Sequence, residues 1–169
     1  MNADQRFPFI LRPALHQDRR ARWNVTYAAW RSAYVNIYTP EEIEEVFNGT
    51  AIQSGSWVSR RKKDLGHLVA ETAGKIIGHS GMALLDQPRE GEVTALYVLP
   101  EYYGQGIGRT LWDAAVAKLR EYGCEVFWVW TIERAPAVAF YKHLGGQVVE
   151  KGWYQTGSRS ETALAFIFK

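Results

Sequence analysis

Three glycines at alternating positions, Gly104, Gly106 and Gly108, follow the apolar run Val93 to Leu99 and Pro100 and lead into Ile107 to Leu111. The order is strand, proline, glycine-rich turn, helix. Glycines at i, i+2 and i+4 let the backbone fold tightly, so several N–H groups can converge at the positive end of the helix that follows. The chemistry this suits is binding of an anion, most naturally a pyrophosphate. A glycine-rich connection that holds no ligand would have the same composition, so the surrounding elements must decide between the two. Two phosphate motifs are excluded by inspection. The spacing is G-x-G-x-G rather than G-x-G-x-x-G, and no lysine followed by serine or threonine closes the loop, so neither a dinucleotide fingerprint nor a P-loop is present.

The elements that would position this turn can be read from periodicity. Phe9 to Leu11, stopped by Arg12 and Pro13, suits an edge strand. From Asp18 to about Ile37 the pattern is helical, with Trp23, Tyr27, Trp30 and Tyr34 on an inward stripe. Thr39, Pro40 and Glu42 form a cap, a first-turn proline and a capping-box glutamate for a short helix through Phe47. Residues 48 to 64 contain few large apolar side chains and read as a mobile surface loop, with the basic run Arg60 to Lys63 as a solvated face or, alternatively, a loop that reaches a phosphate or an acidic substrate. His67 to Glu71, Ile76 to Leu85 and Glu92 to Leu99 read as an antiparallel meander with Gly74 at its first turn. Ile107, Leu111, Ala115 and Leu119 form the stripe of a helix that stops at Gly123. Val126 to Thr131 reads as a strand buried on both faces and reached by a parallel crossover. A further helix carries Ala137, Phe140, Tyr141 and Leu144, and Val148 to Lys151 and Thr162 to Phe168 are the last strands, separated by Gly152 to Ser160. The expected class is α+β, with about six to seven strands in a mixed sheet and about four helices.

Composition limits the function further. The 169 residues carry 20 Lys+Arg against 18 Asp+Glu, a net charge of +2, so no large field marks nucleic acid or an anionic membrane as partner. One domain is expected over residues 1–169: a short leader (1–8), an N-terminal half (9–99) and a C-terminal half (100–169). No signal-peptide pattern opens the chain and only one cysteine is present, which points to a reducing, cytoplasmic setting. Cys124 reads as a small core residue rather than a nucleophile. His16, His67, His79 and His143 lack paired metal spacing and read as surface or satisfied strand residues, so no metal is expected.

The strand, turn and helix around Gly104 to Gly108 resemble the acetyl-CoA-binding motif of the GNAT-type N-acetyltransferase superfamily, in which Arg or Gln, two residues, Gly, one residue, then Gly or Ala follow the fourth strand. Gly106 and Gly108 match, while Tyr103 stands at the Arg/Gln position. A second match lies downstream: Ala137-Val-Ala-Phe140-Tyr141-Lys-His-Leu-Gly145-Gly146 resembles the family's later motif, with Arg134 in place of the frequent asparagine and Gly146 in place of an aromatic residue. Ile10 to Ala14 resembles the usual first strand, and Trp30-Arg31 with Tyr34 resembles the first helix of many small-molecule members. The resemblance covers nearly the whole chain.

It implies a GNAT-like fold and direct transfer of an acetyl group from acetyl-CoA to a primary amine, for which a small-molecule acceptor is expected. A peptide or protein acetyltransferase, or a module of the same fold that senses acyl-CoA without turnover, are the alternatives. Polyamines, amino-sugar antibiotics, amino acids and protein N-termini all remain open as acceptors. The implied cofactor contacts are the backbone of Leu96, Tyr97 and Val98, the loop Tyr103, Gly104, Gln105, Gly106, Ile107, Gly108 and Arg109, and the later residues Arg134, Ala137 and Phe140. Trp30, Tyr34 and Trp57 fall in elements that shape the acceptor pocket in this family. An alkyl ammonium near pKa 10.4 exposes its lone pair in only about one molecule in several thousand at neutral pH, so a base is required. Glu92 stands where a base lies in some members and could act directly or through water. It could equally be an exposed strand-end glutamate, and Glu90, Asp86 and Glu71 are its rivals. Tyr141 matches the family's acid, although Ala137, Tyr141 and Leu144 also fit one packing stripe. Strict alternation puts Glu92, Thr94, Leu96 and Val98 on one face of the strand, and a bulge would break that register. Homodimers are common among similar proteins, but no feature of this sequence demands one.

Overall fold

Ala73 and Gly74 both take positive φ, 45° and 76°, the backbone that a two-residue hairpin turn requires. They join two long antiparallel strands, β3 (Arg61–Thr72) and β4 (Lys75–Leu85). The structure, a computed structural model, describes residues 7–49, 53–56 and 58–169. Its remaining elements are β1 (Ile10–Pro13), α1 (Arg19–Ala33), α2 (Pro40–Phe47), β2 (Gln53–Gly55), β5 (Glu90–Val98), α3 (Ile107–Glu121), β6 (Val126–Ile132), α4 (Ala137–His143), β7 (Gln147–Thr156) and β8 (Arg159–Phe168). Among the described residues one eight-stranded sheet runs in the order β1-β3-β4-β5-β6-β8-β7-β2. Only β5 and β6 are parallel, as the crossover through α3 requires.

The helices lie on both faces of this sheet. A Cβ built on Gly78 would touch Leu111 of α3, while the next residue, His79, meets Thr26 of α1. Because successive strand residues point to opposite faces, α1 and α3 cover opposite sides of β4. The stripe Ile107, Leu111, Ala115 and Leu119 is buried as periodicity requires. Both later helices end in the same way. The N–H of Cys124 bonds the Leu119 carbonyl and that of Gly123 the Arg120 carbonyl, and Gly146 and Gly145 repeat the pattern on Tyr141 and Lys142. With Gly123 and Gly145 at positive φ, these are paired C-terminal caps that satisfy the last orphan carbonyls. Gly146, where the family pattern has an aromatic residue, has its own reason: a Cβ there would come within 2.5 Å of the Phe168 ring. The capping box of α2 is present in full, with Glu42 N–H donating to Thr39 Oγ1 and Thr39 N–H to Glu42 Oε2.

The sheet has one or two more strands than the sequence suggested. Within residues 48–64, β2 pairs with the edge of β7 and β3 begins at Arg61, with a 3-10 turn at Val58–Arg60 between them, so Gln53–Gly55 and residues 61–64 are sheet rather than surface loop. Gly152 to Ser160 is not a separate segment either, because β7 and β8 continue through it to a turn at Gly157, φ 58°. α1 stops at Ala33 rather than Ile37, where the aromatic stripe ends and Tyr34 accepts from the N–H groups of Ile37 and Tyr38. β6 buries one face through Phe127 and Val129, while Trp128 and Trp130 on the other are half-buried beneath Arg60. It is therefore not a strand buried on both sides.

Candidate active site

The turn after β5 has the backbone of an anion cradle. Gly104 and Gly106 sit at φ 76° and 80°, and a Cβ at either would meet nothing within 4 Å. These glycines are thus required by conformation and not by crowding, and their outer face is open. Gly106 is the N-cap of α3 and supplies no side chain to the cap. The N–H groups of Ile107, Gly108 and Arg109 therefore open a 15-residue helix with no preceding turn to receive them. Gly108 lies against the Phe140 ring, which seats α4 beside the cradle. Around it, Tyr103 bonds with Ser32, Gln105 is exposed, and Arg109 pairs with Asp113 one turn on. Arg134 pairs with Glu161 at 2.8 Å just before α4. Ala137 and Phe140 pack on the core beside Trp112. A cradle of free N–H groups with an open face fits a pyrophosphate.

Upstream of the cradle, β5 parts from β6. Their ladder covers only Glu90 with Val126, Gly91 with Phe127 and Glu92 with Trp128. From Val93 to Val98 the edge of β5 that faces β6 has no strand partner among the described residues, so its backbone groups are available to a ligand. The bulge is at Thr94. β4 pairs Gly81 with Ala95 and then Met82 with Val93, which leaves Thr94 as the extra residue. The side-chain register changes there, so Glu92, Thr94 and Tyr97 line a cavity whereas Val93, Leu96 and Val98 pack into the core. The strict alternation of Glu92, Thr94, Leu96 and Val98 does not hold, because the bulge moves the face by one residue.

That cavity, of about 440 Å³, lies at the parting of the two strands under α1 and α2. Trp30, Tyr34, Phe47, Tyr97, Trp130 and Tyr154 give it aromatic walls. Of the residues that the resemblance assigns to the acceptor, Trp30 and Tyr34 line this cavity. Trp57 lies outside the described residues. Trp30 stacks on Tyr38 and meets Tyr34 and Phe47 edge-on, and its Nε1–H donates to the Tyr97 hydroxyl at 3.3 Å.

Glu92 is 2% exposed, so it is not a solvated strand-end residue. A buried carboxylate needs a partner, and Arg61 provides one through two donors, Nε at 2.9 Å and Nη2 at 2.7 Å. This pairing raises the Arg61 guanidinium further above its usual range. The basic run Arg60 to Lys63 is accordingly more than a solvated face, since its second residue turns inward at the start of β3. None of the rival carboxylates lines the cavity. Glu90 accepts from Trp128 Nε1, Glu71 is held by Arg12 and Asp86 is exposed between β4 and β5.

Tyr141 approaches from α4. Its ring packs among Trp112, Phe140 and Phe166, so the packing stripe is real. Burial, with the nearby Tyr97 phenol as a lesser cause, pushes its hydroxyl well above the ordinary tyrosine range. Tyr34 is shifted the same way by burial, with Tyr97, Tyr154, Tyr141 and Tyr38 as electrostatic neighbours, so five phenols gather there. Behind the cavity, His79 Nε2 lies 2.8 Å from Thr26 Oγ1 and its ring stands 5.4 Å from that of His67. Burial lowers His79 to about 3 and His67 to about 4. The Nδ1 atoms of both are buried without a hydrogen-bond partner among the described residues, so neither is the satisfied strand histidine that the sequence suggested. Cys124 is buried in the core, and burial raises its thiol.

Sequence reading missed Arg61, the side chain of Tyr97, Trp130 and Tyr154. The basic residues and the tryptophans were visible as such, but only the bulge and the inward turn of β3 reveal where they point.

A family profile described as "Acetyltransferase (GNAT) family" matches residues 23–145. An uncharacterized N-acetyltransferase of Methanocaldococcus jannaschii is 29% identical over 111 residues, 61% of this chain and 49% of that protein, so the match spans about half of that relative's length. The uncharacterized N-acetyltransferase YuaI of Bacillus subtilis is 27% identical over 135 residues, 78% of this chain and 76% of that protein. Among solved structures, the PaiA N-acetyltransferase of Thermoplasma acidophilum in complex with coenzyme A superimposes with a TM-score of 0.71 at 19% identity, covering 94% of this chain and 98% of that one. A GNAT family acetyltransferase of Brucella melitensis in complex with acetyl-CoA gives 0.58 at 23% identity, with 88% and 86% covered. The ribosomal-protein-S18-alanine N-acetyltransferase of Escherichia coli gives 0.60 at 17% identity, with 95% and 93% covered. At these identities the structural likenesses establish a shared fold.

Proposed function

The chain belongs to the acetyltransferase (GNAT) family, and from that premise we propose that it transfers an acetyl group from acetyl-CoA to the primary amine of a small molecule seated in the aromatic cavity. The observation that carries this reading is the parting of β5 from β6 after Glu92 and Trp128. The same strand lines the cavity at one end and leads into the cradle at the other.

Acetyl-CoA supplies the thioester, whose C–S bond breaks as the amine nitrogen bonds the acetyl carbon. The N–H groups from Gly104 to Arg109 would hold the pyrophosphate, with Tyr103, Arg134, Ala137 and Phe140 as its further contacts. The unpaired backbone edge at Leu96, Tyr97 and Val98 offers donors to the pantetheine and to the carbonyl oxygen as charge develops there. Glu92 receives the proton the amine loses, directly or through a water. Both of its oxygens already accept from Arg61, so taking that proton exchanges one guanidinium bond for an O–H. Tyr141 would be the residue that meets the leaving sulfur. Because burial raises its phenol, it stabilises the thiolate by donating a hydrogen bond and not by giving up its proton. With Cys124 sealed in the core, the acetyl group passes directly between the two substrates.

Thiol release from acetyl-CoA across a panel of small amines and peptides tests this. Release driven by small amines supports the proposal. Release driven only by peptides would make this a peptide acetyltransferase, and acetyl-CoA binding without release on either set would leave an acyl-CoA sensor.

A further inference from the structure

We propose that the acceptor amine also carries an anionic group, in the simplest case a carboxylate, and that Arg61 is the residue that selects it. The proposal rests on reading the aromatic cavity as the acceptor site.

Among the described residues that line the cavity, only Arg61 and Glu92 are formally charged, and they are bound to each other. A guanidinium has five N–H donors. Glu92 takes one from Nε and one from Nη2. The two on Nη1 and the second on Nη2 meet no acceptor among the described residues. Exposure divides the pair in the same sense, at 2% for the Glu92 side chain and 31% for that of Arg61. The carboxylate is sealed beneath the guanidinium, and the unused donors remain on the accessible side. Planar donors in this arrangement match a second carboxylate as well as they match Glu92.

A second, smaller cavity of about 270 Å³ makes the same point from the other side of Arg61. It is lined by Arg61, Lys62, Lys63, Asp64, Ala83 and Thr94, so Arg61 and Thr94 form the wall the two cavities share. Lys62 and Lys63 contribute to this lining against one carboxylate residue, Lys63 with its Nζ 5.6 Å from the centroid of the Tyr122 ring, and Asp64 Oδ1 already accepts the Gly66 N–H. An anionic substituent reaching Arg61 from the aromatic cavity therefore enters a region of net positive charge. A second ammonium on the acceptor would find the opposite, because the one carboxylate of the aromatic cavity is already bound to Arg61. The lining favours an amine with an apolar or aromatic body and a carboxylate over a diamine.

Matched compounds that differ only in the carboxylate test this: L-phenylalanine against phenethylamine, and 4-aminobutyrate against 1,4-diaminobutane. Affinity is read from quenching of intrinsic fluorescence, since Trp23, Trp30 and Trp130 line the cavity, and kcat/KM from thiol release. The wild-type chain should bind the carboxylate member of at least one pair tenfold or more tightly, about 1.4 kcal/mol. Arg61→Lys, which keeps the charge and loses the fork, should bring that ratio close to one. So should the double variant Arg61→Met/Glu92→Gln, which leaves no buried charge unpaired and guards against misfolding. A tenfold carboxylate preference in neither pair, no binding by any of the four compounds, or a ratio that survives both variants would overturn the proposal. If the ratio is found but no compound is acetylated, the ligand class stands and the acetyl-transfer reading of this cavity falls. If acetylation proceeds without a carboxylate preference, the transfer reading stands and this proposal falls.

Discussion

The cradle after β5 exposes backbone N–H groups, whereas the cavity where β5 and β6 part exposes side chains. The first depends on a few torsion angles within five consecutive residues, Gly104 to Gly108. The second is assembled from five distant stretches of chain, with Arg61 and Glu92 separated by 31 positions and Trp30 and Tyr97 by 67. A site made of backbone can be lost by changing one glycine and is hard to retune. A site made of side chains spreads its contacts and can be respecified one residue at a time. Under the proposed function, this difference gives a physical reason for one cradle to serve a common cofactor while the neighbouring cavity selects a particular acceptor.

The sharpest break should come at the cradle. Gly106→Asp adds a Cβ at φ 80° and a negative charge beside the pyrophosphate, and calorimetric affinity for coenzyme A should drop about 100-fold or more in a variant whose circular dichroism is unchanged. Wild-type affinity in that variant would remove the cofactor from this loop. Across the parting, Glu92→Gln should cost about 100-fold in kcat, the lower range for a lost general base, with coenzyme A affinity within a factor of about two. An equal loss in both quantities would make Glu92 structural. Tyr141→Phe keeps the ring contacts with Trp112, Phe140 and Phe166, so it should lower kcat about tenfold and leave the melting temperature nearly unchanged. A wild-type turnover would confine Tyr141 to packing.

A smaller effect concerns stability behind the cavity. His79 is held neutral, with its folded pKa lowered to about 3 from 6.5. As pH falls below 6.5 the unfolded chain takes up a proton that the folded chain refuses, so this contribution is complete above 6.5 and is lost progressively down to about 3. The slope for this one group approaches 1.4 kcal/mol per pH unit, and His67 acts in the same direction. Urea unfolding between pH 7 and pH 4 should therefore show a shallower decline for His79→Phe than for the wild type. Parallel declines would mean that His79 titrates normally in the folded chain.

The same contrast explains what could be read from sequence. The cradle was legible because left-handed turns select glycine, and the helices were legible because their stripes and caps have fixed spacing. Glu92 was found as a candidate, but its pairing with Arg61 was not. The side chains of Arg60 to Lys63 carry the signature of a solvent-facing run, and nothing local states that the second of them turns toward a buried carboxylate. Tyr97 entered as a backbone contact only, since the Thr94 bulge that turns its ring into the cavity leaves no mark in composition. The strands β7 and β8 were cut short because their outer ends are polar and lie near the edge of the sheet, where alternation fades.

The central claim is that two differently built sites meet at the parting of β5 and β6 and hold both substrates together. Initial rates of thiol release over a grid of acetyl-CoA and amine concentrations test it most directly. Intersecting double-reciprocal lines are expected, as a ternary complex requires. Parallel lines would show that the acetyl group rests on the protein before the amine arrives, and would contradict this account.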